Sequence, residues 1–162
     1  MELTPQCRQM IGHSSEAAAR FGHSAVSASH LLIGLMKVER GGPARMLKRA
    51  GLTLEMVERY VEGHTPPIEQ TQAMAGALLG ESAKIALEGA ALLAVSMNER
   101  FVGIHGVLLA ICDRDGTDAS ALLDAHRIDR AKLRQLLVRE LAAPSPFNFY
   151  EIDHLLNETA GD

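Results

Sequence analysis

Apolar residues recur along this chain at helical spacing, and the whole pattern runs twice. Leu3, Cys7, Met10, Ile11, Ser14, Ala18 and Phe21 return every three or four residues, which predicts an amphipathic helix. Thr4-Pro5 opens it, since a threonine hydroxyl can cap free amides and proline is pre-set for the first helical turn; Gly22 stops it near Phe21. The next segment, His30-Leu31-Leu32-Ile33-Gly34-Leu35-Met36, lies in a helix predicted from about Ser29 to Glu39 and leaves no polar face. A helix apolar all round has to be enclosed by others, so this one is expected at the centre of its unit. Gly41-Gly42-Pro43 breaks it. Ala44, Met46 and Leu47 mark a short third helix ending at Gly51, and Thr53 caps a fourth bearing Leu54, Val57, Tyr60 and Val61.

His64-Thr65-Pro66-Pro67 closes the unit, and the polar run Glu69-Gln70-Thr71-Gln72 reads as a connector with no element of its own. The pattern then restarts. Leu79, Ala83, Ala86, Leu87, Ala90, Ala94 and Met97 repeat the first stripe, and Gly106 to Cys112 supplies a second apolar centre 76 positions after the first. Asp113-Arg114-Asp115-Gly116 is the break; Asp118 and Asp129 are expected to cap the last two helices, the final one carrying Leu133, Leu136, Leu137 and Leu141. Shifted by 76, Ile11 falls on Leu87, Val26 on Val102, Leu32 on Leu108, Leu47 on Leu123 and Val57 on Leu133 without a gap. The expected fold is therefore all-α: two tandem four-helix repeats related by pseudo-two-fold symmetry. Repeat one spans 1–63, a connector 64–77 and repeat two 78–143, together one domain followed by a tail at 144–162.

Composition narrows the function. With 47% hydrophobic residues in 162, the chain can bury a core without covalent staples. Cys7 and Cys112 sit within apolar helical patterns and read as buried thiols of a reducing compartment. No basic-then-apolar leader opens the sequence, and no apolar run approaches the ~20 residues of a membrane span, so a cytoplasmic protein without membrane contact is expected. The net charge of −4 resides in 147–162, where Glu151, Asp153, Glu158 and Asp162 meet no Lys or Arg. The remainder is balanced, which disfavours nucleic acid as the main partner and makes a helix-turn-helix regulator the weakest reading. The seven histidines lack two-His helical spacing or a nearby cysteine pair, and no local nucleophile signature accompanies either thiol. Neither a metal, a cofactor nor a catalytic residue is expected; His30 is read as a brace inside its unit.

The segment Ala17-Ala18-Ala19-Arg20-Phe21-Gly22-His23, continuing through Val26-Ser27-Ala28-Ser29-His30 into Leu31-Leu32-Ile33-Gly34-Leu35, resembles the amino-terminal repeat of the Clp unfoldases. The break at Gly41-Gly42 and the pattern Met46-Leu47 to Gly51-Leu52 fit it too. The second unit keeps the apolar positions but has Asn98-Glu99 in place of Gly-His and Gly106 in place of the central histidine. The resemblance covers roughly residues 3 to 141. It implies an eight-helix bundle that sits on a hexameric AAA+ unfoldase and receives substrates or adaptors. No Gly-x-x-x-x-Gly-Lys-[Ser/Thr] loop is present, so the chain is expected to lack ATPase chemistry of that kind. It would be either a recognition domain of a Clp-type unfoldase or a free-standing regulator or decoy acting in trans.

Some members of this family resemble receptors for phosphorylated arginine, with a threonine near the start of each repeat and an acid just before the central histidine. Those positions are Thr4 and Gly80 for the threonine, and Ser29 and His105 for the acid. Without carboxylates to pair a guanidinium, binding in that manner is not expected. Two further protein-binding candidates come from the residues themselves. Ile68 and Met74, beside Pro66-Pro67, could line an adaptable peptide groove in the connector, the alternative being a solvated linker. Phe147, Phe149 and Tyr150 are half of the six aromatics and are expected to dock in an apolar groove of this chain or of a partner, or to cover the core as a ninth helix.

Overall fold

A computed structural model describes residues 2–64 and 71–142. The helices are α1 (Pro5–Arg20), α2 (Ala28–Lys37), α3 (Gly42–Arg49), α4 (Leu54–Gly63), α5 (Glu81–Ser96), α6 (Ile104–Asp113), α7 (Asp118–Ala125) and α8 (Arg130–Ala142). Four short strands join them: β1 (Glu2–Leu3), β2 (Gln72–Met74), β3 (Ala77–Leu79) and β4 (Phe101–Val102). Each helix of the second set begins 76 residues after its counterpart in the first, so the symmetry expected from the sequence is present element by element.

The apolar centres behave as their composition requires. Ala28 to Leu35 is an unbroken buried run in α2, and Ile104, Val107, Leu108, Leu109, Ile111 and Cys112 are buried in α6. These helices cross α1 and α5 respectively and join one continuous core. At the first crossing the backbones nearly touch: a Cβ on Gly34 would lie 2.2 Å from both Met10 O and Ser14 Oγ.

The repeats are not merely adjacent. β1 pairs in parallel with β4, and Leu79 of β3 bridges Val26 in the same sense, so the strand opening each repeat crosses to the other. The Thr4 amide donates to Val102 O at 3.0 Å, and its counterpart, the Gly80 amide, donates to Val26 O at 2.7 Å. Left-handed backbone recurs at the same interval: Gly22 and Asn98, Arg40 and Gly116, Gly51 and Arg127 form three matched pairs of positive φ.

Two local expectations are corrected. The connector holds an element after all: β2 and β3 form an antiparallel hairpin through Ala75-Gly76, both at positive φ as a tight two-residue hairpin turn requires. Ala-Gly is a weak signal for that turn, and the strands are only three residues long. Asp118 does not cap α7. Thr117 does, its hydroxyl accepting from the Ser120 amide, and Asp118 is the first helical residue, directed elsewhere. Asp129 caps α8 as expected, Oδ1 accepting from the Lys132 amide at 3.1 Å.

Candidate functional site

Where the crossed strands end, three helix N-termini converge. Those of α2, α5 and α7 open onto a cleft of about 620 Å³ lined in part by His23, Ser27, Gly80, Ser82, Arg114 and Asp118. α2 and α7 therefore meet there only because the repeats are interlocked. Ser82 Oγ accepts from the Ala28 amide at 2.9 Å, and Asp118 Oδ2 accepts from the Ser29 amide at 3.0 Å. A carboxylate at this end of α2 complements the partial positive charge of its free amides. Burial alone would raise the Asp118 pKa, but bonds from Ser27, Ser29 and Ser82 and from the Ser29 amide outweigh it and hold the carboxyl below its ordinary value.

The histidines at this edge form a directed chain. His30 is fully buried, and its Nδ1 accepts from the Ser27 amide at 2.9 Å, the reverse half of a capping box. The neutral ring must then carry its proton on Nε2, which donates to His23 Nδ1 at 2.9 Å. Burial first, then the neighbouring His23, pushes the His30 pKa down to about 4, against a smaller pull from Asp118. His30 is a neutral brace connecting the α2 cap to the wall of the cleft.

The symmetry-related edge is built differently. Here α6 begins beside Thr4, and position 105 carries histidine where the first edge has Ser29. Position 42 is glycine where the first has Asp118. The exchange is steric: a Cβ on Gly42 would lie 2.6 Å from His105 Nε2. His105 instead meets Glu140 Oε1 at 3.3 Å, and burial keeps its pKa below the ordinary value despite that carboxylate. A small residue opposite an acid on one side thus becomes a large ring opposite a glycine on the other.

The model of one protein family, described as the Clp repeat (R) N-terminal domain, matches residues 2–126. The chain belongs to that family. It is 30% identical over 147 residues to the ATP-dependent Clp protease ATP-binding subunit ClpC of Staphylococcus saprophyticus, covering 90% of this chain and 18% of that protein. A probable Clp protease ATP-binding subunit of Chlamydia pneumoniae is 26% identical over 143 residues, 86% of this chain and 17% of its own length. The Clp repeat domain described here thus spans less than a fifth of these relatives. Among solved structures, the N-terminal domain of the Arabidopsis thaliana chaperone ClpD superposes with a TM-score of 0.71 at 18% identity, covering 88% of this chain and 96% of that one. The Candida albicans Hsp104 N-terminal domain gives 0.67 at 14% identity, covering 89% and 94%. Both show the same fold.

The four positions singled out from the resemblance are paired across the repeats of this Clp repeat domain. Gly80 caps α5 in the cleft whose Asp118 accepts from the Ser29 amide, whereas Thr4 caps α1, accepting from the Cys7 amide at 3.1 Å, on the edge that holds His105. Thr4 and Ser29 are buried, so neither hydroxyl is displayed on the surface. Met74 is half-buried on β2 and packs against the core; Ile68, Phe147, Phe149 and Tyr150 lie outside the described residues. The sequence reading missed Asp118 and Ser82 as cleft groups, because their contacts span 89 and 54 residues. The break Asp113 to Gly116 was a visible signal that a polar loop stood near, but not where it pointed.

Burial pushes both thiols up to about 12, so neither is a thiolate nucleophile near neutral pH. Among the described residues, no group of three or more His, Cys, Asp or Glu gathers to hold a metal ion, and no helix is long and apolar enough to cross a membrane.

Proposed function

We propose that this chain is a recognition module that receives substrates or adaptors for a Clp-type AAA+ unfoldase, without ATPase or protease activity of its own. The observation that carries the reading is the cleft between interlocked repeats in a Clp repeat domain. Three helix N-termini, exposed Arg114 and Asp115 and half-buried Ile85 offer a polar rim with an apolar edge to another protein. The chemistry available there is hydrogen bonding and charge pairing. The module would act in the cytoplasm, either joined to the unfoldase or in trans as a regulator.

A degradation assay tests this. The full chain is added to a Clp unfoldase and peptidase together with an adaptor-dependent substrate. A regulator in trans competes and slows turnover; a module that works in cis leaves turnover unchanged but restores it when grafted onto an unfoldase stripped of its own N-terminal domain. Ser24→Trp, at an exposed position of the cleft rim, is expected to remove either effect without altering the melt. No effect in either format would exclude the reading.

Phosphorylated arginine is not the expected ligand. The Asp118 carboxylate in the cleft is already committed to the Ser29 amide and surrounding serines and is not available to pair a guanidinium. A phosphoarginine peptide should show no saturable binding by calorimetry; saturable binding abolished by Ser24→Trp would overturn this.

A further inference from the structure

The pseudo-two-fold supplies an internal control for the surface. A side chain that the fold demands in one repeat should have an equivalent 76 residues away; a feature present on one side only has another cause. One such difference lies in the groove between α3 and α8, which has a volume of about 510 Å³. Its walls carry Arg45 and Arg49 from α3 and Arg139 from α8, with Met46 and Leu136 between them. Leu136 is 40% exposed. At the equivalent positions of the other repeat stand Ala121, Ala125, Gly63 and, for Leu136, Tyr60. The same helices pack there without any of the three guanidinium groups.

None of these three arginines forms an ion pair among the described residues. The acid lining the groove, Glu140, is engaged by His105. Three guanidinium groups against the single carboxylate of Glu140, set around an apolar strip, form a net positive surface that an acidic, aromatic segment would neutralise and cover. This chain contains one. Residues 144–162 carry Glu151, Asp153, Glu158 and Asp162 with no Lys or Arg, preceded by Phe147, Phe149 and Tyr150.

We propose that the segment 144–162 docks in cis across the α3–α8 groove, its aromatic rings over Met46 and Leu136 and its carboxylates on Arg45, Arg49 and Arg139. The connection is short enough. Arg139 and Leu136 lie three and six residues before the end of α8 at Ala142, about 4.5 and 9 Å back along its axis. The five residues from 143 to 147 span up to about 16 Å extended. Pro144 and Pro146 disfavour continuation of the helix and favour a turn away from it. The order of the segment, rings before acids, matches a path that crosses the α8 apolar strip first and reaches the α3 arginines next. Docking there covers a face separate from the inter-repeat cleft.

Amide NMR of the full chain, spin-labelled through Asn157→Cys, tests the arrangement; Cys7 and Cys112 are buried and remain unlabelled. Docking predicts selective loss of peak intensity for Arg45 to Arg49 and Leu136 to Arg139. Intensity should recover in about 0.5 M salt, where screening shortens to a few ångströms, and in the Arg45→Glu, Arg49→Glu double variant, whose changes are at exposed positions. Loss confined to residues of the inter-repeat cleft, or no selective loss at all, would overturn the proposal. So would the same loss in unlabelled isotopic chain mixed with spin-labelled chain, because the contact would then lie between two copies. A melt accompanies each variant: selective loss that disappears only because Arg45→Glu, Arg49→Glu unfolds would show up there, and Arg139→Gln then provides the second reading.

Discussion

Individual residues in this domain are decided by what stands opposite them, and the duplicated plan makes each decision readable. At the crossing of α1 and α2, Gly34 allows contact with Met10 O and with Ser14 Oγ, which itself donates to Met10 O at 2.7 Å. In the second copy the equivalent residues are Ala110 and Ala90, and the space is made by Gly89, where an added Cβ would come within 3.1 Å of Ala110 Cβ. The two crossings are therefore alternative solutions to one packing problem. Gly34→Ala places a methyl against backbone and is expected to cost about 3 kcal/mol in urea unfolding. Gly12→Ala, on the exposed side of α1 with nothing within 4 Å, should instead gain about 0.5 to 1 kcal/mol. Equal effects of the two substitutions would remove the packing explanation. The apolar role of α2 was legible from its composition, and the bracing role of His30 from its place in an otherwise apolar helix. Asp118 was not: its partner is an amide 89 residues distant, and only the interlocking of repeats brings them together.

At the level of elements, helix ends carry most of the sequence's punctuation. The four helices α1, α3, α5 and α7 all close with the same pair of backbone bonds, of which the longer spans five residues: His23 to Ala18, Leu52 to Leu47, Glu99 to Ala94 and Ile128 to Leu123. Each such closure needs one residue in the left-handed region. Gly22 and Gly51 announce it in the first repeat, whereas Asn98 and Arg127 occupy the same place in the second. The second-repeat ends were legible only through the 76-residue alignment, since arginine is no stop signal. Gly51, at φ +98°, should not tolerate a side chain: Gly51→Ala is expected to lower stability by about 1 kcal/mol. Arg127→Gly, at φ +58°, relieves a strained conformation and should raise the denaturation midpoint slightly or leave it unchanged. A clear loss on Arg127→Gly would mean that its side chain, rather than its backbone, holds the turn. The β2–β3 hairpin escaped notice for a related reason, because Ala75-Gly76 adopts its turn without the asparagine or aspartate that ordinarily marks it.

For the molecule as a whole, the exchange of strands between repeats makes local proton binding a global matter. β1 belongs to the first repeat but pairs with β4 of the second, and the Val26–Leu79 bridge returns the connection, so neither repeat can open without uncovering the other. Protonation of a buried brace in one repeat is therefore expected to unfold both in a single transition. His30 is that brace. Its folded pKa of about 4 lies below the ordinary 6.5, so the unfolded chain binds the proton more readily between those values. The stabilisation is fully present above pH 6.5 and is lost as pH falls towards 4, at up to about 1.4 kcal/mol per pH unit and about 3 kcal/mol in all. His105, also held below its ordinary value, steepens the slope in the same direction. Asp118 acts lower down: its folded pKa is depressed below 3.8, so its contribution is intact above that value and disappears only in stronger acid. Urea unfolding at intervals from pH 7 to 4.5 should show stability declining throughout. In His30→Gln the slope should flatten by nearly one proton, since glutamine at this position can still accept from the Ser27 amide but cannot titrate. An unchanged slope in His30→Gln would assign the acid sensitivity to other groups, and two separated transitions would show that the crossed strands do not couple the repeats.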